Sequence, residues 1–253
     1  MHNFISDFLN TKSNSDKITN HGYQRVYPWF LGHFKSAEIN LLEIGVADSE
    51  SLILWRNYFE KVNLFALDIL PIQINDVDVK LFQVDQSDKK QLNQFVLNVD
   101  DFFDIIIDDG SHVPDHQMLT LETLWSKLRG GGVYIIEDIE TSYWGKSFIY
   151  GYKFNSTNGN PIDYLKEAVN YLNFKFLPSS KKNSLNKSRF VELFKSIEFI
   201  TFGHNCIILV KKDPAVFSEF YNEEYIRKSH INDRNFLNLL KLKLKYYWNY
   251  LTH

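Results

Sequence analysis

Short apolar runs alternate with helix-like segments between residues 40 and 138, and acidic residues stand where most of these runs end. The predicted strands are residues 41–45, 62–69, 80–84, 103–107 and 133–136. Strands that alternate with helices at this spacing predict a parallel sheet with helices on both faces. We therefore expect an α/β fold with a Rossmann-like doubly wound sheet, in which ligands bind at the carboxyl ends of the strands.

The segments around this alternation divide the chain into three predicted parts. We expect an N-terminal helical cap at residues 1–39, a core at 40–213 and a helical tail at 214–253. Within the core, residues 130–132 are predicted as a turn and 178–188 as a polar, basic loop. Residues 191–200 and 205–210 are predicted as the two strands of a C-terminal antiparallel hairpin. Residues 140–165 lack periodicity and are long for a connection, which is typical of a functional lid or of a disordered segment.

Composition excludes several classes of protein. The 253 residues carry a formal net charge of −3, so no basic field predicts nucleic-acid binding. A single cysteine, Cys206, rules out an intramolecular disulfide framework and fits a reducing compartment. The N-terminus lacks the pattern of a secretory signal, and the apolar runs are far shorter than a bilayer span. These features predict a cytoplasmic protein.

The ends of two predicted strands carry the side chains with the most chemistry. One strand continues as DDGSH at residues 108–112, and the other continues as ED at residues 137–138. If the strands are neighbours, four carboxylates and one imidazole meet at one edge of the sheet. Carboxylates are the preferred ligands of hard divalent cations, so the pattern predicts a metal site with a base beside it. The structural alternative is that the acids cap the helix and the turn that follow them.

The turn after the first strand favours a nucleoside ligand over a dinucleotide. Gly45 lets the backbone pass close to a ligand, but Ala47 and Glu50 stand where the dinucleotide fingerprint has its second and third glycines. The Glu50 carboxylate at the helix start would also oppose a pyrophosphate. Asp68, at the end of the second strand, is placed to accept hydrogen bonds from ribose hydroxyls, and Asp85 is placed to contact a base.

Several of these motifs together resemble a known family. The pattern Glu43-x-Gly45, followed by Asp68 and by Asp85-Gln86, is similar to Rossmann-like S-adenosylmethionine-dependent methyltransferases of class I. The sharper resemblance is to metal-dependent macrolide-sugar O-methyltransferases of the macrocin and mycinamicin type. It rests on Asp108 to His112, on Gly131-Gly132-x-Tyr134-x-Ile136-Glu137-Asp138, on Thr141 to Trp144, and on Asp16-Lys17, His21-Gly22-Tyr23 and Tyr27. It covers roughly residues 15–212, and Ser49 departs from it, because the family usually has glycine there.

The resemblance implies S-adenosylmethionine and Mg²⁺ as cofactors and assigns a role to each site residue. The implied metal ligands are Asp109, Glu137 and Asp138, and the implied general base is His112. The implied cofactor contacts are Glu43, Gly45, Asp68, Asp85, Gln86, Asp108 and Tyr23, and Tyr143 and Trp144 are expected to line the acceptor pocket. Ordinary packing is the alternative for Tyr23, Tyr143 and Trp144, and Asp108 is the acid most open to a structural role.

The expected activity is transfer of a methyl group from S-adenosylmethionine to a hydroxyl of a small-molecule sugar acceptor. The sugar is expected to be nucleotide-linked, part of a polysaccharide, or part of a glycosylated metabolite precursor. Two alternatives stay open on the sequence: a methyltransferase for a non-sugar hydroxyl, catechol-like or phosphorus-linked, and a non-catalytic partner subunit with the same fold.

The predicted tail helix carries an apolar stripe. The stripe consists of Leu237, Leu240, Leu244, Tyr247 and Leu251, and lysines at 241, 243 and 245 make the segment basic. Three roles fit this pattern: docking on its own core, a homo-oligomer interface, or contact with an anionic membrane surface.

Overall fold

The computed structural model of the chain describes residues 2–71, 74, 78–144, 149–150, 161–177, 179–186 and 188–216. Much of the predicted lid and nearly all of the predicted tail lie outside these residues. The chain divides into two compact units, Met1–Lys212 and Asp213–His253. The first unit holds both the predicted cap and the predicted core, and the boundary at residue 39 stays a prediction. Within the described residues, no helix is long and apolar enough to cross a membrane.

One seven-stranded sheet organises the first unit. Its strands are β1 Glu38–Ile44, β2 Lys61–Asp68, β3 Val79–Gln83, β4 Phe103–Asp108, β5 Leu128–Glu137, β6 Ile197–Phe202 and β7 Cys206–Lys211. They lie in the order β3-β2-β1-β4-β5-β7-β6. Strands β1 to β5 pair in parallel, whereas β7 pairs antiparallel with β5 and with β6. The predicted fold, a mostly parallel α/β sheet with a C-terminal antiparallel hairpin, is confirmed.

Helices cover both faces of this sheet. They are α1 His2–Leu9, α2 Asp16–Thr19, α3 Tyr27–Leu31, α4 Glu50–Tyr58, α5 Lys89–Asn98, α6 Pro114–Leu124, α7 Pro161–Leu172, α8 Ser179–Leu185 and α9 Val191–Lys195. Side chains of α5, α6, α7 and α9 build the core on one face, and side chains of α1, α3 and α4 build the core on the other. Because both faces are covered, the central strands are apolar along their whole length and not at every second residue.

Residues 191–200 were predicted as a strand, and the first half of that prediction is wrong. The chain forms α9 and enters β6 only at Ile197. Phe190, Leu193, Phe194 and Ile197 are all buried, and their spacing of three, four and seven residues is the helical period. The apolar content therefore indicated burial correctly, while the spacing indicated a helix.

Two other local predictions are also corrected. The segment predicted as a loop at 178–188 contains α8, whose Leu185 is its one buried residue, so no apolar period marks this helix in the sequence. The glycine turn predicted at 130–132 lies inside β5, where Gly131 has φ of +78°. The pairing register with β4 shifts between Phe103 and Ile105, opposite these glycines. The triplet therefore makes an irregular strand, not a turn.

A glycine at the end of β1 permits the closest approach between two loops of the site. Gly45 has φ of +79°, and a Cβ placed there would lie 2.3 Å from the backbone oxygen of Asp109 and 2.6 Å from Cα of Gly110. Backbone atoms cannot move aside as a flexible side chain does. The turn after β1 and the turn after β4 can therefore pack together only if residue 45 has no side chain.

Replacing this glycine tests the close approach. We expect Gly45→Ala to lower the free energy of unfolding by about 1–3 kcal/mol more than Gly131→Ala does, because overlap with backbone adds to the strain of a positive φ. Gly131 is the matched control, since its φ is +78° and a Cβ there meets nothing within 4 Å. Urea unfolding of both variants measures the difference. Equal losses would mean that the two loops separate at little cost.

Candidate functional site

The candidate site lies at the carboxyl ends of β1, β4 and β5, where the order of strands in the sheet reverses. From β1 the chain continues outward to β2 and β3, and it then returns to β4 on the other side of β1. A reversal of this kind opens a crevice beyond the strand ends, where ligands of open α/β sheets bind. The non-glycine residues Ala47, Ser49, His112, Asp138 and Asn205 all have positive φ. Strained conformations of this kind are typical of functional sites.

A buried lysine from the N-terminal segment joins three of the strand ends. The Lys17 side chain has no exposure to solvent. Its Nζ lies 2.5 Å from Asp109 Oδ2, 2.9 Å from Glu137 Oε2 and 3.3 Å from Glu43 Oε1. Glu43 belongs to β1 and Glu137 to β5, and Asp109 directly follows β4. A buried ammonium needs such partners, because its loss of hydration would otherwise be prohibitive.

The charges around Lys17 shift the pKa values of the cluster. Burial alone lowers the pKa of Lys17, but the charges of Glu137, Asp109 and Glu43 outweigh burial and hold it well above its ordinary value. Burial raises the pKa of Glu43 and raises that of Glu137 further, and Lys17 opposes both shifts. Three acidic side chains thus share one ammonium, and burial favours the neutral form of Glu43 and Glu137.

Both oxygens of the Glu137 carboxylate are engaged by the N-terminal segment. Oε2 accepts from Lys17, and Oε1 accepts a hydrogen bond from the Tyr27 hydroxyl. The backbone oxygen of Glu137 accepts a further bond from Gln117 Nε2, at 2.8 Å. Glu137 is only 1% exposed. Of the three predicted metal ligands, this carboxylate is the most deeply enclosed.

A separate set of donors holds Asp138. Its Oδ1 accepts from the Tyr23 hydroxyl at 3.1 Å and from Asn205 Nδ2 at 2.9 Å, and it lies 3.3 Å from His21 Nδ1. The residue has φ of +53°, which turns its side chain away from the line of β5. Burial raises the pKa of Asp138, while His112 and His21 lower it. Tyr23 stays a predicted cofactor contact, and its hydroxyl also lies at a predicted metal ligand.

Asp109, His112 and Asp138 form a group that could hold a metal ion. One ligand atom of each lies within 4.8 Å of the others, and all three are partly exposed. His112 Nε2 is 3.7 Å from Asp138 Oδ2. Two carboxylates and an imidazole are a donor set that divalent cations accept. The structure thus brings two of the three predicted ligands, Asp109 and Asp138, together with the predicted base. Glu137, the third predicted ligand, is outside this group and contacts Lys17.

The His112 ring is fixed by its backbone more than by hydrogen bonds. Its φ is +54°, and its carbonyl oxygen accepts a bond from Thr141 Oγ1 at 2.7 Å. Its Nδ1 is buried and has no hydrogen-bond partner among the described residues. A buried polar atom of this kind is costly unless a ligand or water satisfies it. The ring is therefore held at the site with unused hydrogen-bonding capacity.

Asp108 links the predicted metal side to the predicted nucleoside side. It has no exposure, its Oδ1 accepts from Gln86 Nε2 at 2.6 Å, and Tyr134 donates to its Oδ2 at 3.4 Å. The Gln86 oxygen in turn accepts from the backbone of Ser111 at 2.8 Å. Burial raises the pKa of Asp108 to about 7, against the lowering effect of these hydrogen bonds. The two predicted cofactor residues thus brace the loop that carries His112.

The other predicted cofactor residues lie at the ends of β1, β2 and β3. Asp68 accepts from the backbone of Val46 at 3.1 Å and of Leu70 at 2.8 Å, so it binds both loops at this edge. Asp85 accepts from the backbone and hydroxyl of Ser87. Glu43 is fully buried and accepts from Ser51 and Trp55 of α4.

The loop at Ser49, where the family usually has glycine, has the conformation that glycine favours. Ser49 has φ of +69°, directly before α4 begins. The carboxylate of Glu50 accepts from the backbone of Asn14 at 3.1 Å, and Ser13 donates to the Glu50 backbone oxygen at 2.8 Å. The N-terminal segment therefore runs across this turn.

The two aromatic residues predicted at the acceptor pocket are exposed. Tyr143 is 59% and Trp144 is 50% exposed, at the end of the 3₁₀ turn Ile139–Tyr143 that follows Asp138. The Trp144 ring makes an edge contact with the Tyr150 ring at 5.4 Å. Both rings therefore lie outside the core, and they stay predicted to line the acceptor pocket.

Sequence reasoning missed how much of the site the N-terminal segment supplies. Lys17 and Tyr27 of this segment contact predicted metal ligands, as does Asn205 between β6 and β7. None of the three was assigned a role. Lys17 follows Ser15, whose hydroxyl caps α2, and a lysine in so short a helix normally faces solvent. Asp16-Lys17 and Tyr27 belong to the motifs that carry the family resemblance, which was the one available signal.

Comparisons with known proteins show which proteins the chain resembles. The chain is 31% identical over 179 residues to 8-demethyl-8-alpha-L-rhamnosyl tetracenomycin-C 2'-O-methyltransferase of Streptomyces olivaceus, covering 68% of this chain and 46% of the relative. It is 29% identical over 171 residues to mycinamicin VI 2''-O-methyltransferase of Micromonospora griseorubida, covering 62% and 42%. The chain thus spans less than half the length of these curated relatives. No protein-family model matches it.

The fold matches that of a solved methyltransferase. MycE from the mycinamycin biosynthetic pathway, in complex with Mg and SAH, superposes with a TM-score of 0.70 at 24% identity, covering 83% of this chain and 54% of that chain. The class of fold is therefore that of the class I methyltransferases, as predicted. The predicted resemblance to sugar O-methyltransferases of the macrocin and mycinamicin type is also confirmed by the named relatives.

The raised pKa of Asp108 predicts a pH dependence of stability. A carboxyl that titrates near 7 when folded and near 4 when unfolded binds its proton more tightly in the folded state. Its contribution is present at acidic pH and is lost as pH rises toward 7. We expect Asp108→Asn to gain stability relative to the unsubstituted protein by up to about 1.4 kcal/mol per pH unit between pH 5 and 7.

Urea unfolding at pH 5, 6 and 7 measures this difference. Asp101→Asn is the control for the change in net charge, because Asp101 is a surface residue paired with Lys80 at 3.3 Å. A difference between Asp108→Asn and the unsubstituted protein that stays constant with pH would contradict the expected titration.

Proposed function

We propose that the chain is a Mg²⁺- and S-adenosylmethionine-dependent O-methyltransferase that acts on a sugar hydroxyl. The observation that carries the proposal is the convergence of Asp109, His112 and Asp138 beside the reversal of strand order. The named relatives, which methylate glycosylated compounds according to their names, support the same activity. When bound, S-adenosylmethionine supplies an electrophilic methyl group, and Mg²⁺ orients the acceptor hydroxyl and lowers its pKa.

The residues present fit a hard cation. The acidic cluster has three carboxylates around a single ammonium, and Asp138 adds a fourth beside them. Asp109 and Asp138 are the ligands that the geometry favours, because they already face each other. Glu137 is proposed as the third ligand. A cation that takes Glu137 must share its carboxylate with Lys17 and Tyr27, since those donors hold both of its oxygens.

We assign the nucleoside to the neighbouring strand ends. Gly45 keeps the end of β1 free of a side chain, and Asp68 lies at the end of the adjacent β2 as an acceptor for ribose hydroxyls. Asp85, Gln86, Asp108, Glu43 and Tyr23 complete the proposed cofactor contacts. Of these, Asp108 and Glu43 are fully buried, and they also hold Gln86, Ser51 and Trp55 in place.

His112 is the proposed general base. Its Nε2 lies 3.7 Å from Asp138 Oδ2, so a nearby carboxylate stabilises the imidazolium that forms when the ring takes a proton. The ring is 29% exposed and thus accessible to an acceptor. Tyr143 and Trp144 are proposed to bind the sugar, because their exposed rings offer flat apolar surfaces beside the base.

The cellular setting is also proposed. A cytoplasmic location and a role in polysaccharide or glycosylated-metabolite synthesis fit an acceptor that is a nucleotide-linked sugar or a glycosylated precursor. The chain has a single cysteine, which is buried, in keeping with a reducing compartment.

Calorimetric titration and a transfer assay test the proposed activity together. We expect S-adenosylmethionine and S-adenosylhomocysteine to bind, and methyl transfer to a panel of nucleotide sugars and rhamnosylated compounds to require Mg²⁺. Asp109→Asn and Asp138→Asn should each lower the transfer rate by at least about 100-fold, because metal contacts contribute several kcal/mol to the transition state. Asp101→Asn is the control and should keep full activity.

The outcomes separate the alternatives. Transfer to catechols or phosphorus-linked hydroxyls but not to sugars would replace the sugar acceptor. Cofactor binding without transfer to any acceptor class would favour a non-catalytic subunit. Full activity of Asp109→Asn would refute the metal site.

A second substitution tests the base. We expect His112→Gln to lower kcat by about 10²–10⁴-fold while the affinity for S-adenosylhomocysteine stays unchanged, because only proton transfer is lost. His116→Gln is the matched control, since His116 lies four residues further on, in α6, and contacts Ser111 Oγ at 2.9 Å. Equal losses in kcat for the two variants would show that position 112 has no special role.

A further inference from the structure

Lys17 contacts the same carboxylates that a divalent cation would use. Its Nζ is within hydrogen-bonding distance of Asp109 Oδ2 and Glu137 Oε2. These are two of the three proposed metal ligands. The third, Asp138, is held by Tyr23 and Asn205 and has no contact with Lys17 among those described. The lysine and the cation therefore share two ligands and differ in the third.

From this geometry we propose that Lys17 is a built-in counter-ion that weakens divalent-cation binding at the site and so sets its affinity. The proposal rests on the proposed metal site and deepens it. It makes Lys17 a positioning residue, which acts on the metal through Asp109 and Glu137.

Charge explains the direction of the effect. With Lys17 present, Glu43, Asp109 and Glu137 have one compensating positive charge, and without it they have none. A cation bound at Asp109 lies close to a buried ammonium, and two positive charges in a region of low dielectric repel each other strongly. Removing the ammonium therefore ends this repulsion and leaves the acids without a fixed counter-charge.

The position of Lys17 shows what it contributes to the site although it weakens cation binding. Lys17 lies on α2, and Ser15 and Ser13 anchor the preceding residues at the helix start and at Glu50. The ammonium therefore reaches the three strand ends from one fixed point. It keeps Asp109 and Glu137 near each other when their mutual repulsion would separate them. The same contact thus orders the ligands and limits how tightly they hold a cation.

Calorimetric titration of MgCl₂ into the full chain, without methyl acceptor, tests the proposal. We expect Lys17→Met, which keeps the apolar stem and removes the charge, to bind Mg²⁺ at least about ten-fold more tightly than the unsubstituted protein. Lys17→Arg is the matched control, because it keeps the charge, and its Mg²⁺ affinity should not increase. The melting temperature of Lys17→Met should also rise more on addition of Mg²⁺ than that of the unsubstituted protein.

A second pair of variants keeps the test decisive if Lys17→Met does not fold. The double variant Lys17→Met/Glu137→Gln removes one charge of each sign, and its Mg²⁺ affinity is compared with that of Glu137→Gln alone. We expect the double variant to bind more tightly, because the repulsion at Asp109 is gone.

Unchanged or weaker Mg²⁺ binding in the folded Lys17→Met or double variant would overturn the proposal and leave Lys17 a purely structural residue. Absence of Mg²⁺ binding to the unsubstituted protein would instead refute the metal site of the proposed function, and the role of Lys17 with it. The first result leaves the methyltransferase activity standing, so the two failures are distinguishable.

Discussion

A lysine ammonium without solvent exposure lies among carboxylates from β1, β4 and β5, and the arrangement of the whole site depends on it. Burying these charges is costly, and their attraction repays the cost only if every partner stays in place. Removing one partner of such a pair typically costs about 3–5 kcal/mol. The N-terminal segment, which carries Lys17, is therefore an integral part of the acidic edge.

The same segment contributes two stacked tyrosine rings that contact the acidic residues of the site. Tyr23 and Tyr27 stack with their ring centroids 5.0 Å apart, and Tyr27 lies 6.1 Å from Trp55 of α4. Their hydroxyls donate to Asp138 and Glu137 respectively. Burial thus fixes the positions of the two rings, and their hydroxyl groups are held within hydrogen-bonding distance of the carboxylates. Packing in the core on one face of the sheet therefore helps to orient the carboxylates of the site.

The proposed metal site and the proposed nucleoside site are physically connected. Gly45 lets the turn after β1 touch the turn after β4, and Asp108 with Gln86 ties the turn after β3 to the backbone of Ser111. A ligand that orders one turn therefore acts on the others through backbone contacts. This coupling suits methyl transfer, in which a donor and an acceptor must meet in one alignment.

The sequence by itself determined the fold class and the position of the site. Apolar runs that end in acids predicted a parallel sheet with chemistry at its carboxyl edge, because a parallel strand buried on both faces needs a continuous apolar run. Asp109, His112 and Asp138 were found in this way. Helix α9 was missed although its apolar spacing was helical, and α8 was missed because it buries only one residue.

Only the tertiary structure decided which side chains hold the acids. Lys17, Tyr27 and Asn205 are distant in sequence from Glu137 and Asp138, and their separation of 67 to 120 residues is closed by folding. The local pattern around Lys17 is that of a short surface helix. Its burial follows from the carboxylates of three strands, which no local pattern contains. Hydrophobic periodicity is a local property and can be read from the chain, whereas charge compensation at a buried site depends on neighbours that exist only once the chain has folded.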